Sequence, residues 1–376
     1  MIRRNFQKEN NFMTLALFFT EGVSFKIWEK VGNLDREIKP YQELARYFDE
    51  ILFLTYGGKD DLRYQDFLPE NIKVLPNKQK IPSLIYSFLF PFLHQKELRK
   101  VDIFKTNQMF GSWTAIMAKF LFRKKLIVRQ GYQLSVFAPK KSIKRWKLLI
   151  IRFLEKLAYR KADAIIVTSK RDKKYIEEKY NILSEKIKYI PNYIDTELFK
   201  PLDVPKENRI CFVGRLEKQK NLFNLIKAIS GLNIKLVIFG AGSLKKDLQD
   251  FSKQLKTDVE FKGNVSNKDL PKEFNKSKLF ILPSLYEGCP KVLLEAMACR
   301  LPVIGADVYG INEIIKDKEN GYLCGTDVLS ISKAIIEVLN DKGLQEKLSK
   351  NARKTILQNF SLEKILEKEK NIYDNL

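Results

Sequence analysis

The sequence predicts an α/β protein of two similar halves, each a parallel sheet covered by helices on both faces. Three observations carry this. The chain has 376 residues, a length for two or three domains. Short, near-continuous apolar runs alternate with helical patterns along its whole length, which is how strands buried on both faces read. The plan of the first half then recurs in the second. Apolar residues make up 45% and charged residues 30%, which excludes wholesale disorder, collagen-like repeats and a membrane bundle.

The first strand is Met13–Phe19. The N-terminus imitates a secretory signal, with basic residues before a short apolar run. No small-residue cleavage site follows, and Glu21 comes next. Residues 1–12 therefore read as a polar, disordered extension. Further strands are expected at Ile51–Thr55, Asp102–Lys105, Lys125–Arg129, Ala164–Thr168 and Ile187–Ile190. Helical patterns lie between them at Tyr41–Phe48, Leu84–Leu98, Thr114–Phe122, Ser142–Tyr159 and Arg171–Tyr180. The longest apolar stretch, Ile81–Leu93, is short for a bilayer span and carries Pro82 and Pro91. The boundary between halves falls in Pro191–Val204, among Pro191, Pro201 and Pro205. The second half offers strands at Arg209–Val213, Lys235–Phe239, Asp258–Phe261, Leu279–Leu282, Pro302–Gly305 and Tyr322–Cys324. Two such sheets place a ligand cleft where the carboxyl ends of their strands face each other.

The formal charge is +23, which calls for an anionic partner. It is concentrated: Lys119–Lys161 carries 14 basic residues and one acidic residue, Glu155. Part of this stretch reads as an amphipathic helix with Trp146 among lysines. Such a helix can lie on an anionic leaflet, each basic residue contributing about 1 kcal/mol. The plain alternative is a packed helix with a solvated basic face. Nucleic acid is set aside, because no recognition motif accompanies the charge. Cys211, Cys289, Cys299 and Cys324 form no C-x-x-C pair and read as reduced thiols of a cytosolic protein. His94 is the only histidine, so a zinc site or His-based triad is not expected.

The chemistry gathers in the second half. In ICFVGRLEKQKNLF, Gly214 ends a strand, and Arg215 and Lys220 stand five apart, Lys220 at the start of the next helix. Two cations beside a helix N-terminus suit a diphosphate; in so Lys-rich a chain, two surface charges are the plain alternative. In LVIFGAGSLKKDL, Gly240 and Gly242 let a phosphate or ribose approach the backbone, or form a simple turn. A dinucleotide fingerprint would need a third glycine where Lys245 stands. The strongest feature is SLYEGCPKVLLEAMACRLPVIGADVYGINEII. Glu287 precedes a helix that begins at Pro290, and Glu295 lies eight residues beyond Glu287, so both carboxylates reach one cleft. Leu293, Leu294, Ala296 and Met297 surround Glu295 and leave it poorly solvated.

The segment from about Ile187 to Leu323 resembles the family 4 (group 1) glycosyltransferases, retaining enzymes of the GT-B fold. The matching pieces occur in order: PNYIDTELFKP, FVGRLEKQK, FGAGSLKKDL, VEFKGNV, the E-x7-E segment and NGYL. KADAIIVTS matches a weaker element of the first half. The resemblance implies two Rossmann-like domains facing a central cleft. Residues 1–195 would bind the acceptor, residues 196–360 a nucleotide-sugar, and a last helix in 361–376 would return to the first domain. It implies that Arg215 and Lys220 hold the diphosphate and stabilise it as leaving group. Glu295 would bind the ribose hydroxyls. Glu287 would contact the transferred sugar beside Gly288, Cys289, Pro290, Lys291 and Val292, with Gly214, Gly240 and Gly242 lining the donor and base contacts near Val265. It implies no cofactor and no metal, and no D-x-D motif is present. The donor would be a nucleoside-diphosphate sugar, and the acceptor a saccharide or lipid-linked hydroxyl at an anionic membrane surface met through Lys119–Lys161. That fits bacterial surface polysaccharide or glycolipid assembly at the inner face of the cell membrane.

Departures from the family fall mostly on the acceptor side. Many members carry a histidine after a central strand; here LIVRQGYQLSVFA offers Arg129, Gln130 and Gly131. The glycine-rich loop after the first strand is reduced to Gly22. Asn221, Arg300 and Tyr309 stand where glycine is common, and Lys291 where a small or polar residue is. These departures leave open a nucleotide-sugar-binding protein without turnover. A GT-B nucleotide-sugar epimerase is the other alternative, and the E-x7-E spacing argues against it. His94, in an apolar helical stretch, reads as structural.

Overall fold

The computed structural model describes residues 13–131, 135 and 145–376. The N-terminal extension, most of the stretch after Gly131 and the first three residues of the helix expected at Ser142–Tyr159 lie outside them. The chain divides into two compact units. One holds the residues up to Val167, Lys173–Lys188 and Asn371–Leu376; the other holds Thr168–Asp172 and Tyr189–Lys370. The final helix, Leu362–Tyr373, begins in the second unit and ends in the first.

The first unit is built on a seven-stranded parallel sheet in the order β3-β2-β1-β4-β5-β6-β7. Its strands are β1 (Met13–Phe18), β2 (Phe48–Leu54), β3 (Ile72–Leu75), β4 (Ile103–Thr106), β5 (Lys125–Gln130), β6 (Ala164–Val167) and β7 (Ile187–Tyr189). The edge strand β3 is absent from the sequence expectation. Its four residues lie between Pro69 and Pro76, and Lys73 faces solvent, so the run reads as loop. The helix expected at Tyr41–Phe48 instead spans Leu34–Leu44 with Pro40 inside it, and Phe48 opens β2. On one face of the sheet Phe19 stacks on Trp28 at 4.3 Å and Phe25 on Tyr64 at 5.2 Å. On the other, helices Ser83–Leu93, Ser112–Phe122 and Arg145–Lys161 bury Phe90, Ile116 and Tyr159 in one core cluster.

The second unit has a six-stranded parallel sheet in the order β10-β9-β8-β11-β12-β13. Its strands are β8 (Arg209–Val213), β9 (Lys235–Phe239), β10 (Val259–Gly263), β11 (Leu279–Leu282), β12 (Val303–Ala306) and β13 (Tyr322–Cys324). Helices on both faces supply the rest of its core. Asp327 and Asp341 cap two of them by accepting from the backbone N–H of Ser330 and Leu344, groups otherwise left unpaired at a helix start. Both units are thus Rossmann-like. In each, chain direction along the sheet reverses once, between β1 and β4 and between β8 and β11. In open parallel sheets the loops at such a reversal diverge and leave room for a ligand at the carboxyl ends of the strands.

Candidate functional site

In the second unit, the residues singled out from the sequence converge at that reversal. The loop after β8 carries Gly214 to Asn221, and the loop after β11 carries Pro283 to Pro290. They are tied together at several points. The Leu285 N–H donates to the Gln219 carbonyl at 2.8 Å, and the Gln219 side-chain amide donates to the Tyr286 carbonyl at 2.8 Å. The Asn221 amide donates to the carbonyls of Pro283 at 3.1 Å and Thr326 at 2.8 Å. Asn221 has φ +56°, a left-handed conformation that asparagine tolerates better than most residues. That explains how it replaces glycine there.

This scaffold brings Lys220 and Glu287 together. Their side chains meet at 2.5 Å (Nζ to Oε1), and each residue is 8% exposed. Each charge is largely removed from water, so each offsets the other's desolvation. An ammonium has three N–H donors, so the contact with Glu287 leaves donors for a ligand. Arg215 differs: it is exposed, and its partner is Glu217 at 3.2 Å. Such surface pairs are worth about 0–1 kcal/mol and exchange easily for a ligand anion.

Glu295 lies in helix Lys291–Ala298, where Pro290 is the N-cap rather than the first helical residue. Glu295 is buried, and Leu293, Leu294, Ala296 and Met297 are fully buried around it. The Cys289 carbonyl accepts from the Asn192 amide at 2.8 Å, and burial pushes the Cys289 thiol up to about 11. The Lys291 ammonium sits 5.0 Å from the Tyr193 ring centroid. Val265, in the loop after β10, is half-buried against the core. Gly288 lies in the turn before helix Lys291–Ala298, and Val292 is that helix's second residue. Among the described residues no group of three or more His, Cys, Asp or Glu could hold a metal ion.

Two features were not legible in advance. A Cβ at Gly240 would lie 1.9 Å from the Gly214 carbonyl oxygen, and one at Gly242 would lie 2.4 Å from that of Leu216. The backbone approaching these glycines is the chain's own: the Leu216 N–H donates to the Ala241 carbonyl at 3.0 Å. Loop packing therefore accounts for both residues without a ligand. Gly310 does for the Glu287 turn what Gly240 does for the Gly214 loop, since a Cβ there would lie 2.2 Å from the Gly288 carbonyl oxygen. Its only signal in the sequence was a glycine in DVYG. Beside it, the Tyr309 carbonyl accepts from the Glu287 N–H at 3.2 Å.

In the first unit, Gly22 has φ +75° in the turn after β1. Arg129 donates its backbone N–H to Thr106 Oγ1 at 3.0 Å, and Gln130, the last residue of β5, is fully buried. Gly131 donates its N–H to Gln108 Oε1 at 3.1 Å. These residues knit the carboxyl ends of β4 and β5 together beside the β1 turn. His94 lies apart from them, its Nε2 3.0 Å from the Tyr86 hydroxyl, and burial lowers its pKa below the ordinary 6.5. The unfolded chain therefore takes up this proton first as pH falls. The stability tied to neutral His94 is complete above about 6.5 and is lost as pH drops below it. Urea midpoints measured at pH 7.5 and pH 5.5 should fall more for the native protein than for His94→Gln.

Comparisons with known proteins agree with this layout. The family model described as Glycosyl transferases group 1 matches residues 194–355, and that described as Glycosyltransferase Family 4 matches residues 41–198. The GalNAc-alpha-(1->4)-GalNAc-alpha-(1->3)-diNAcBac-PP-undecaprenol alpha-1,4-N-acetyl-D-galactosaminyltransferase of Campylobacter jejuni is 30% identical, over 76% of this chain and 82% of its own. The UDP-Gal:alpha-D-GlcNAc-diphosphoundecaprenol alpha-1,3-galactosyltransferase of Escherichia coli is 29% identical over 92% of each chain. The crystal structure of the Anabaena protein HepE in complex with UDP is similar in fold, with a TM-score of 0.78 at 19% identity. It covers 97% of this chain and 100% of its own.

Proposed function

The chain belongs to the family 4, group 1 glycosyltransferases, and from that premise we propose that it transfers a sugar from a nucleoside-diphosphate sugar, with retention and without a metal. The observation that carries this reading is the buried Lys220–Glu287 pair at the carboxyl ends of β8 and β11, with Arg215 free to leave its surface partner. The acceptor hydroxyl bonds to the anomeric carbon on the face from which the diphosphate departs. The bond from that carbon to the phosphate oxygen breaks, and the hydroxyl proton passes to the departing diphosphate. Arg215 and Lys220 offset the negative charge that grows there. Glu287 orients the sugar, and Glu295 takes the ribose hydroxyls.

The relatives named above carry undecaprenol-linked saccharides in their names, and a lipid-linked saccharide is the acceptor class we assign here. Such an acceptor places the enzyme at the inner face of the cell membrane. Among the described residues no helix is long and apolar enough to cross a membrane.

A thermal-shift panel of UDP, GDP, ADP and CMP tests the donor site. One nucleoside diphosphate should stabilise the native protein, by about 2.7 kcal/mol at 100 times its dissociation constant. Arg215→Ala should lose most of that shift while melting like the native protein without ligand, because its side chain is exposed. A flat response to every diphosphate would remove the diphosphate site from Arg215 and Lys220.

A further inference from the structure

A surface helix normally turns its apolar stripe toward the core. Helix Arg145–Lys161 keeps a large one outside. Trp146, Leu149, Ile150 and Phe153 follow helical spacing and are 57%, 65%, 49% and 65% exposed. Its inner side instead buries Glu155, which accepts from the Tyr180 hydroxyl at 2.5 Å and the Ser135 N–H at 3.2 Å. Helix Ser83–Leu93 repeats the pattern. Tyr86 and Phe90 face inward, while Leu84, Ile85, Phe88, Leu89, Phe92 and Leu93 are all exposed. Phe120 and Leu121 extend the exposed surface on helix Ser112–Phe122.

These three helices share one side of the first unit. They make the successive crossovers β3→β4, β4→β5 and β5→β6, which advance in one direction along the sheet. Right-handed crossovers of one direction lie on one face. Their inner residues accordingly join a single core cluster, and Lys161 packs its ammonium 5.0 Å from the Phe120 ring centroid across the gap between two of them. Among the described residues, twelve of the twenty-four exposed large apolar side chains fall on these helices. Monomeric soluble proteins seldom expose so much contiguous apolar surface without a partner for it. The same segments are basic: Arg99 and Lys100 follow the first helix, Arg123 and Lys125 the second, and Lys147 and Lys156 lie exposed on the third.

We propose that this three-helix face docks flat on an anionic lipid leaflet, its apolar side chains entering the acyl boundary and its basic residues meeting the headgroups. The proposal deepens the lipid-linked acceptor reading and rests on it for its purpose, but vesicle binding needs neither donor nor acceptor. Charge selects the occupant. A second copy would bring the same positive stretch against this one, whereas an anionic leaflet complements it. The helices span about 16 and 25 Å at 1.5 Å per residue, which suits helices lying in the interface.

The test is flotation of the full chain with vesicles of phosphatidylcholine alone or mixed with phosphatidylglycerol, beside tryptophan quenching by brominated acyl chains. The native protein should bind the mixed vesicles more tightly than the neutral ones and lose binding in high salt. Most of its quenching should be lost in Trp146→Phe, because Trp28 is buried and Trp113 is half-buried. The pairs Phe88→Asp with Phe92→Asp, and Leu149→Asp with Phe153→Asp, should each weaken binding about tenfold or more. Both should keep the native melting temperature and native turnover on a lipid-free acceptor saccharide. Vesicle binding by a protein that turns over no sugar nucleotide would sink the transferase reading and leave the face standing. Three results would overturn the face: pairs that bind as the native protein does, a native protein that binds neither vesicle, or a native dimer that the pairs dissociate.

Discussion

Lys220→Met is expected to lower transfer by about 10²–10³-fold and to destabilise the second unit by about 3–5 kcal/mol, because it leaves the Glu287 carboxylate buried without its partner. Stability and catalysis should then separate in a double variant. Lys220→Met combined with Glu287→Gln removes both charges, and replacing a buried pair by neutral groups is often close to neutral. Urea midpoints should therefore recover most of the loss. Turnover should not recover. The leaving diphosphate keeps Arg215 but still lacks Lys220, and losing one such stabilising group costs about 10²–10³-fold in rate, or about 2.7–4 kcal/mol. Single and double variants measured side by side decide the matter. A double variant that regained both stability and transfer would make the pair a structural strut.

The sequence reading and the structure part company where contacts cross long distances along the chain. The alternation of strands was legible because parallel strands buried on both faces are apolar throughout. The runs at Arg209–Val213, Lys235–Phe239 and Leu279–Leu282 stand at the same residues in both. β3 was not legible, since a four-residue edge strand between prolines carries too few apolar residues to show a period. The E-x7-E spacing is local and could be read. That Glu287 reaches back to Lys220 could not, because only the adjacency of β8 and β11 brings those loops together. Glycines behave the same way: spacing marked Gly240 and Gly242 as close-approach positions, while only the fold identifies what approaches. The helix at Arg145–Lys161 is amphipathic on its periodicity alone. That its exposed side keeps Trp146, Leu149, Ile150 and Phe153 follows from which side meets the sheet. The choice is fixed by Ala158 and Tyr159 packing inward and by the hydrogen bonds that hold Glu155.

Gly310→Ala is expected to damage the second unit severely, at the turn that carries Glu287. Gly310 has φ +82°, a conformation that costs other residues about 1–2 kcal/mol. The added Cβ would also lie 2.2 Å from the Gly288 carbonyl oxygen and 2.6 Å from that of Glu287. Those are backbone atoms, so no flexible side chain can swing aside, and the Glu287–Gly288 turn must move. That movement would pull Glu287 from Lys220 and disturb the entry to helix Lys291–Ala298. A loss of about 4 kcal/mol in stability follows from strain and collision together. A displacement of about 1 Å at Glu287 would by itself lower turnover about 10²-fold. Gly231→Ala is the matched control. Gly231 has φ +83°, and nothing lies within 4 Å of the added Cβ, so it carries the conformational cost without the collision. Its variant should lose about 1–2 kcal/mol and keep native turnover. Equal urea midpoints and equal turnover for the two variants would show that the Glu287 turn tolerates the methyl. The gap between them otherwise measures how rigidly the loop after β12 holds Glu287 against Lys220.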